Sequence, residues 1–104
     1  MSHVVVLITA TSTGEAEAIG RALVEARLAA CVNIASGVRS FFRWQGAIED
    51  QEEALLLVKS RGELVPSIIE TVKGLHSYTV PEVIALPILA GSPDYLAWID
   101  ESVG

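Results

Sequence analysis

Apolar and polar positions along this chain switch between a period near two and a period near 3.6, and the switches mark its elements. Val4-Val5-Val6-Leu7-Ile8-Thr9 is an unbroken apolar, β-branched run, which predicts a strand covered on both sides or lying at a subunit contact. Thr11-Ser12-Thr13-Gly14-Glu15 then supplies cap-type residues, with Ser12 and Glu15 at capping-box spacing. Ile19, Leu23 and Ala26 recur at helical spacing while Glu15, Glu17, Arg21 and Glu25 take other faces. An amphipathic helix of about four turns, reaching Leu28, is the expectation.

Ala30-Cys31-Val32-Asn33-Ile34 reads as a second strand closing at Ser36-Gly37. Val38 to Trp44 is strand-like and aromatic, Gln45-Gly46 is turn-like, and Ala47-Ile48-Glu49 resumes toward the core run Ala54-Leu55-Leu56-Leu57-Val58. These segments predict one long bent hairpin with Glu49-Asp50-Gln51-Glu52-Glu53 on its return arm. Ser60 and Glu63 repeat the capping-box spacing, and Leu64, Ile68, Val72 and Leu75 form a second helical stripe ending near His76. Pro66 fits only the first turn of that helix, so regular structure should begin near Gly62 or Glu63. Val83 to Leu89 predicts the last strand, with Pro87 at an edge or bulge. Asp94 to Ser102 predicts a short helix capped by Ser92, with Pro93 at its first position. The order β-α-β-β-α-β plus a terminal helix is the split βαβ arrangement of ferredoxin-like α+β folds, an antiparallel sheet with helices on one face.

A length of 104 residues makes residues 1–104 a single domain. The formal charge is −6, with 7 Lys and Arg against 13 Asp and Glu, a poor match to a phosphate backbone, so nucleic acid is not an expected partner. Hydrophobic residues make up 51% of the chain and charged residues only 19%, which excludes disorder. So small a chain leaves apolar surface outside when it folds alone, and an oligomer is expected. No apolar run approaches the ~18–20 residues that span a bilayer, and the first residues lack the basic stretch of a signal peptide. One cysteine, Cys31, cannot form an internal disulfide, which suits the cytoplasm.

Phosphate-cradling loops, paired cysteines, His-x-x-x-His and nucleophile elbows are all absent from the sequence. What remains is a set of blocks. Ala29-Ala30-Cys31-Val32-Asn33-Ile34, Trp44-Gln45-Gly46-Ala47-Ile48-Glu49 and Leu56-Leu57-Val58-Lys59-Ser60-Arg61 come first. The stretch from Leu75-His76-Ser77-Tyr78-Thr79-Val80-Pro81-Glu82 through Val83-Ile84-Ala85-Leu86-Pro87-Ile88 follows, and then Asp94-Tyr95-Leu96-Ala97-Trp98-Ile99. In that order, and across essentially the whole chain, they resemble the CutA family of divalent-cation tolerance proteins. The resemblance implies a ferredoxin-like protomer in a cytoplasmic homotrimer, similar in architecture to PII signalling proteins, with a link to tolerance of copper and other divalent metals. Ser77 stands where the family usually has Pro, Thr79 where an acidic residue is expected, and Ser60 where Thr is common.

Cys31 and His76 carry over from the family's blocks. A thiolate and an imidazole suit copper, yet Cys31 also reads as a small buried apolar residue and His76 as a helix C-cap. One Cys and one inner His cannot close a tetrahedral site, so a metal site either adds ligands from a neighbouring subunit or is weak. Glu82 is the third candidate ligand. Lys59, Arg61, Tyr78 and Trp44 are candidates for lining a cleft with Cys31 and His76, if the strand ends meet. Glu49, Asp50, Glu52 and Glu53 could bind hard cations. The bland alternatives are a solvated face for that acidic run, a Lys59–Glu82 ion pair, interface packing of Trp44, Phe41 and Phe42, and an incidental His3. The expected function is binding rather than catalysis: a trimer holding a divalent cation between subunits, or a PII-like regulatory or scaffold trimer that binds a small ligand or a protein partner. His76 and Glu82 alone define no substrate.

Overall fold

The computed structural model describes residues 2–104. Its elements are β1 (His3–Ala10), α1 (Thr13–Glu25), β2 (Cys31–Trp44), β3 (Ala47–Arg61), a 3-10 turn (Gly62–Leu64), α2 (Val65–Leu75), β4 (Val83–Pro87) and α3 (Pro93–Ser102). The strands pair antiparallel in the order β2-β3-β1-β4, and the fold is ferredoxin-like α+β. Strand alternation chooses the core face. Val4, Val6, Ile8 and Ala10 of β1 are buried, and they pair with Ser60, Val58, Leu56 and Ala54 of β3, all buried on the same side. Ala16, Ile19 and Leu23 of α1 and Ile68 and Val72 of α2 close over them. Each fully buried Val, Leu or Ile contributes about 1.5–3 kcal/mol. The odd positions of β1 stay partly exposed, so within the chain this strand is covered on one side.

Four local expectations differ from the structure. α1 stops at Glu25 rather than Leu28, because Arg27 takes a left-handed conformation (φ 59°). The Leu28 N–H then donates to Leu23 O at 2.9 Å and the Arg27 N–H to Val24 O at 3.0 Å, a Schellman ending that normally uses glycine. Arg27 holds it by donating from its guanidinium to the carbonyls of Glu101 and Gly104, both at 3.0 Å. The second capping box does not form. Ser60 belongs to β3, is wholly buried, and donates to Leu28 O at 2.6 Å instead. Ser92 likewise makes no side-chain cap, although Pro93 does open α3. Ser12 does accept from the Glu15 N–H at 3.1 Å. Helical structure begins at Gly62 with Pro66 in the first turn of α2, and Pro87 ends an edge strand shorter than expected.

The hairpin outruns the sheet. β1 pairing stops at Ala54, while β2 and β3 continue from Val38↔Glu53 out to Trp44↔Ala47. Gln45 and Gly46 both have positive φ (49° and 81°), the signature of a type I′ turn. A register shift between Ala35 and Val38, with Gly37 at φ 72°, interrupts the ladder, and bulges of this kind bend strands. Fourteen residues of β2 at ~3.3 Å each span about 45 Å, which accounts for the 44 Å long axis of the molecule. Phe41, Trp44 and Ile48 on this two-stranded ribbon are exposed.

Candidate functional site

His76 caps α2 and turns its ring inward. Nε2 lies 2.7 Å from Thr9 O, and Nδ1 accepts the Tyr78 N–H at 2.9 Å. An accepting Nδ1 has its lone pair engaged, so Nε2 is the nitrogen that donates to Thr9. Glu15 closes the group from α1. One carboxylate oxygen accepts the Thr11 N–H and the other the Ser77 N–H, both at 3.0 Å, and Oε1 stands 3.5 Å from His76 Nε2. Burial pushes the Glu15 pKa up, but the hydrogen bonds from Thr11 and Ser77, with His76 nearby, outweigh it and leave the group below the usual carboxylate value.

Cys31 lies elsewhere. It pairs with Lys59 across β2 and β3, whereas the Thr9 held by His76 pairs with Leu55. Those register positions differ by four residues, about 13 Å along the strand. The Lys59 ammonium donates to Asn33 and lies 4.0 Å from Cys31 Sγ. Tyr95 of α3 approaches the same thiol: burial chiefly, and then the Cys31 sulfur, raise its pKa. Arg61 reaches Asp100 and Glu63, and Asp100 also takes His3 Nε2 at 2.9 Å. His3 is therefore a structural tie between β1 and α3, not an incidental residue. A Lys59–Glu82 ion pair does not form among the described residues.

Tyr78, Glu82 and Trp44 do come together. They line a cleft of about 920 Å³ between the outer hairpin and the segment after His76, with Phe41, Phe42, Glu49, Glu52 and Glu53 among its other walls. The Phe42 and Tyr78 rings stand 6.4 Å apart, and the Tyr78 hydroxyl donates to Glu53 at 3.2 Å. Burial, followed by the negative charges of Glu53, Glu15 and Glu49, raises the Tyr78 pKa. The acidic run is thus not simply a solvated face, since Glu53 is only 6% exposed. Among the described residues, no three His, Cys, Asp or Glu side chains converge closely enough to enclose a metal ion. Cys31, His76 and Glu82 of one chain do not make a metal centre by themselves.

Residues 4–102 match the family model described as CutA1 divalent ion tolerance protein. The chain belongs to the CutA1 family. It is 53% identical over 100 residues to the divalent-cation tolerance protein CutA of Thermus thermophilus, covering 96% of this chain and 97% of that one. Against Protein CutA of Mus musculus the identity is 44% over 94 residues, covering 90% of this chain but 53% of the longer mouse protein. Among solved structures, the CutA1 of Thermus thermophilus superposes with a TM-score of 0.95 at 52% identity, covering 98% and 99% of the two chains. CutA1 from Oryza sativa gives 0.96 at 38% identity, covering 100% of this chain and 95% of its own. Sequence reasoning missed Glu15 and weighed Glu53 only as part of an acidic run. Glu15 was legible only as a helix-start residue, and the burial of Glu53 depends on Tyr78 folding back over β3, which no local pattern encodes.

Proposed function

We propose that this CutA1 chain assembles as a homotrimer and serves divalent-cation tolerance by holding copper or another divalent ion between subunits. Binding rather than catalysis is the function, and the lone Cys31 suits a cytoplasmic setting. The observation that carries the assembly is the outer hairpin. A two-stranded ribbon is marginal in water on its own, and this one exposes Phe41 at 66%, Ile48 at 68% and Trp44 at 43%. A neighbouring copy that covers these side chains would stabilise the ribbon and bring one chain's Cys31, His76 or Glu82 toward another's. Sedimentation equilibrium should give three times 11.1 kDa at micromolar concentration, and Trp44→Ala should weaken the assembly more than the protomer. A stable monomer refutes it. Calorimetric copper titrations of Cys31→Ser, His76→Ala, Glu82→Gln and His3→Ala then test the ligands. If only His3→Ala lowers affinity, the intersubunit copper site is wrong.

A second function, a PII-like regulatory trimer that binds a small ligand, draws support from two particular features. Both ring nitrogens of His76 already have partners in the chain, so a metal there must displace one of them. The hairpin cleft, in contrast, has a volume within the range of small-molecule sites. Metal-free protein that ignores copper but binds a small ligand would favour this function over the first.

A further inference from the structure

Side chains hold the connection from α2 to β4. Among the described residues, Ser77 to Glu82 make no backbone–backbone hydrogen bond, and the segment is tied to Glu15, His76 and Glu53 instead. Tyr78 joins two of these ties. Its N–H donates to His76 Nδ1 at 2.9 Å, and its hydroxyl donates to Glu53 at 3.2 Å. Its ring centre lies 5.1 Å from that of His76 and 6.4 Å from that of Phe42. Glu53 and Phe42 sit on different strands of the outer hairpin. Glu53 pairs with Val38, the first pair beyond the register shift, and Phe42 pairs with Glu49 further out. A bulge lets such a ribbon bend, and contacts at two points along the ribbon fix the bend.

The His76 ring does not fit a divalent ion, although the family's link to such ions makes it a natural candidate. Its side chain is 0% exposed, so no ligand from outside the chain reaches either nitrogen unless the packing around it opens. A neutral imidazole has one free lone pair, and the Tyr78 N–H occupies it. Coordination through Nδ1 would consume that lone pair. Coordination through Nε2 would shift the ring proton to Nδ1, set it against the Tyr78 N–H, and deprive Thr9 O of its donor. Either way a backbone group inside the fold loses its partner, which is costly. We propose that His76 is a positioning residue and not a metal ligand: its ring holds Tyr78, and Tyr78 sets the angle at which the outer hairpin leaves the sheet. This removes His76 from the ligands of the proposed intersubunit site and leaves the trimer standing.

Amide hydrogen exchange of the full chain at fixed concentration, read on peptides from residues 38–53, tests it through a pair of amide variants. In His76→Asn the side-chain oxygen falls where Nδ1 stands and can still accept from Tyr78. In His76→Gln the amide nitrogen falls where Nε2 stands, which keeps the donor to Thr9 and loses the acceptor. Exchange in these peptides should be at least tenfold faster in His76→Gln and within threefold of the unaltered protein in His76→Asn, with β1 unchanged in both. A ring that merely fills space gives the reverse order, because glutamine is nearer to histidine in volume, and that order overturns the proposal. Tyr78→Phe keeps the ring and the N–H but drops the Glu53 bond. It should speed exchange in the same peptides severalfold, and unchanged exchange there also overturns the proposal. Calorimetric copper titration reads the competing role. His76→Asn should bind copper within threefold of the unaltered protein, whereas a tenfold loss makes the ring a ligand and refutes the proposal. An unaltered protein that takes up no copper refutes the intersubunit metal site instead, and the order of exchange rates still decides the positioning role.

Discussion

Replacing Glu15 by glutamine probes how the His76 end of the molecule is held. The carboxylate ties together the start of α1, the Thr11 turn and the segment after His76, through N–H donors at 3.0 Å on each oxygen. A glutamine oxygen can accept from only one of these donors, and its amide would meet the other donor to donor. One charge-assisted bond is lost and one backbone N–H is left without an acceptor, which together cost about 2 kcal/mol. For a chain of this length that corresponds to a fall in Tm of roughly 10 °C. The pH dependence is diagnostic. The folded-state pKa of Glu15 lies below its ordinary value of 4.5, so its contribution is fully present above about pH 4.5 and is lost as pH falls through the folded pKa. Urea unfolding of both proteins at fixed concentration, near neutrality and in stepped acid, should show a gap that is widest near neutrality. The gap should close as the pH falls below the folded-state pKa. A gap that stays constant across that range would mean the effect is steric and the charge-assisted ties are not what Glu15 supplies.

Ser60→Ala should cost about 1–3 kcal/mol, because it leaves Leu28 O buried without its donor; an unchanged denaturation midpoint would refute that bond's role. Gly46→Ala forces a side chain into φ 81° and should cost about 1–2 kcal/mol, read as faster amide exchange in the outer hairpin. Leu56→Ala, at the centre of the core, should lose about 2–5 kcal/mol by chemical denaturation. Arg27→Ala keeps the strained conformation but removes the guanidinium bonds to Glu101 and Gly104, so Val103 and Gly104 should lose exchange protection before the core does.

Local pattern was enough for the elements and their order. The apolar run at Val4, the stripe at Ile19 and Leu23, Pro66 in a first turn and the Gln45-Gly46 turn each report a backbone preference that acts over a few residues. That is why the ferredoxin-like order could be read directly, and why the family blocks placed Cys31, His76, Tyr78 and Glu82 in the chain. Tertiary structure decided the rest, because it concerns which distant backbone groups need partners. Arg27 replaces the expected glycine at the end of α1 only because the C-terminal carbonyls of Glu101 and Gly104 are there to receive it. Ser60 gives up its capping role to serve Leu28 O, 32 residues away. Cys31 and His76 look alike as candidate ligands in the sequence, but strand register separates Cys31 from the Thr9 that His76 holds by four residues, since each residue of extended chain adds about 3.3 Å. Glu53 reads as one more acid in a charged run, and only the fold places Tyr78 over β3, where its hydroxyl donates to the buried Glu53 carboxyl.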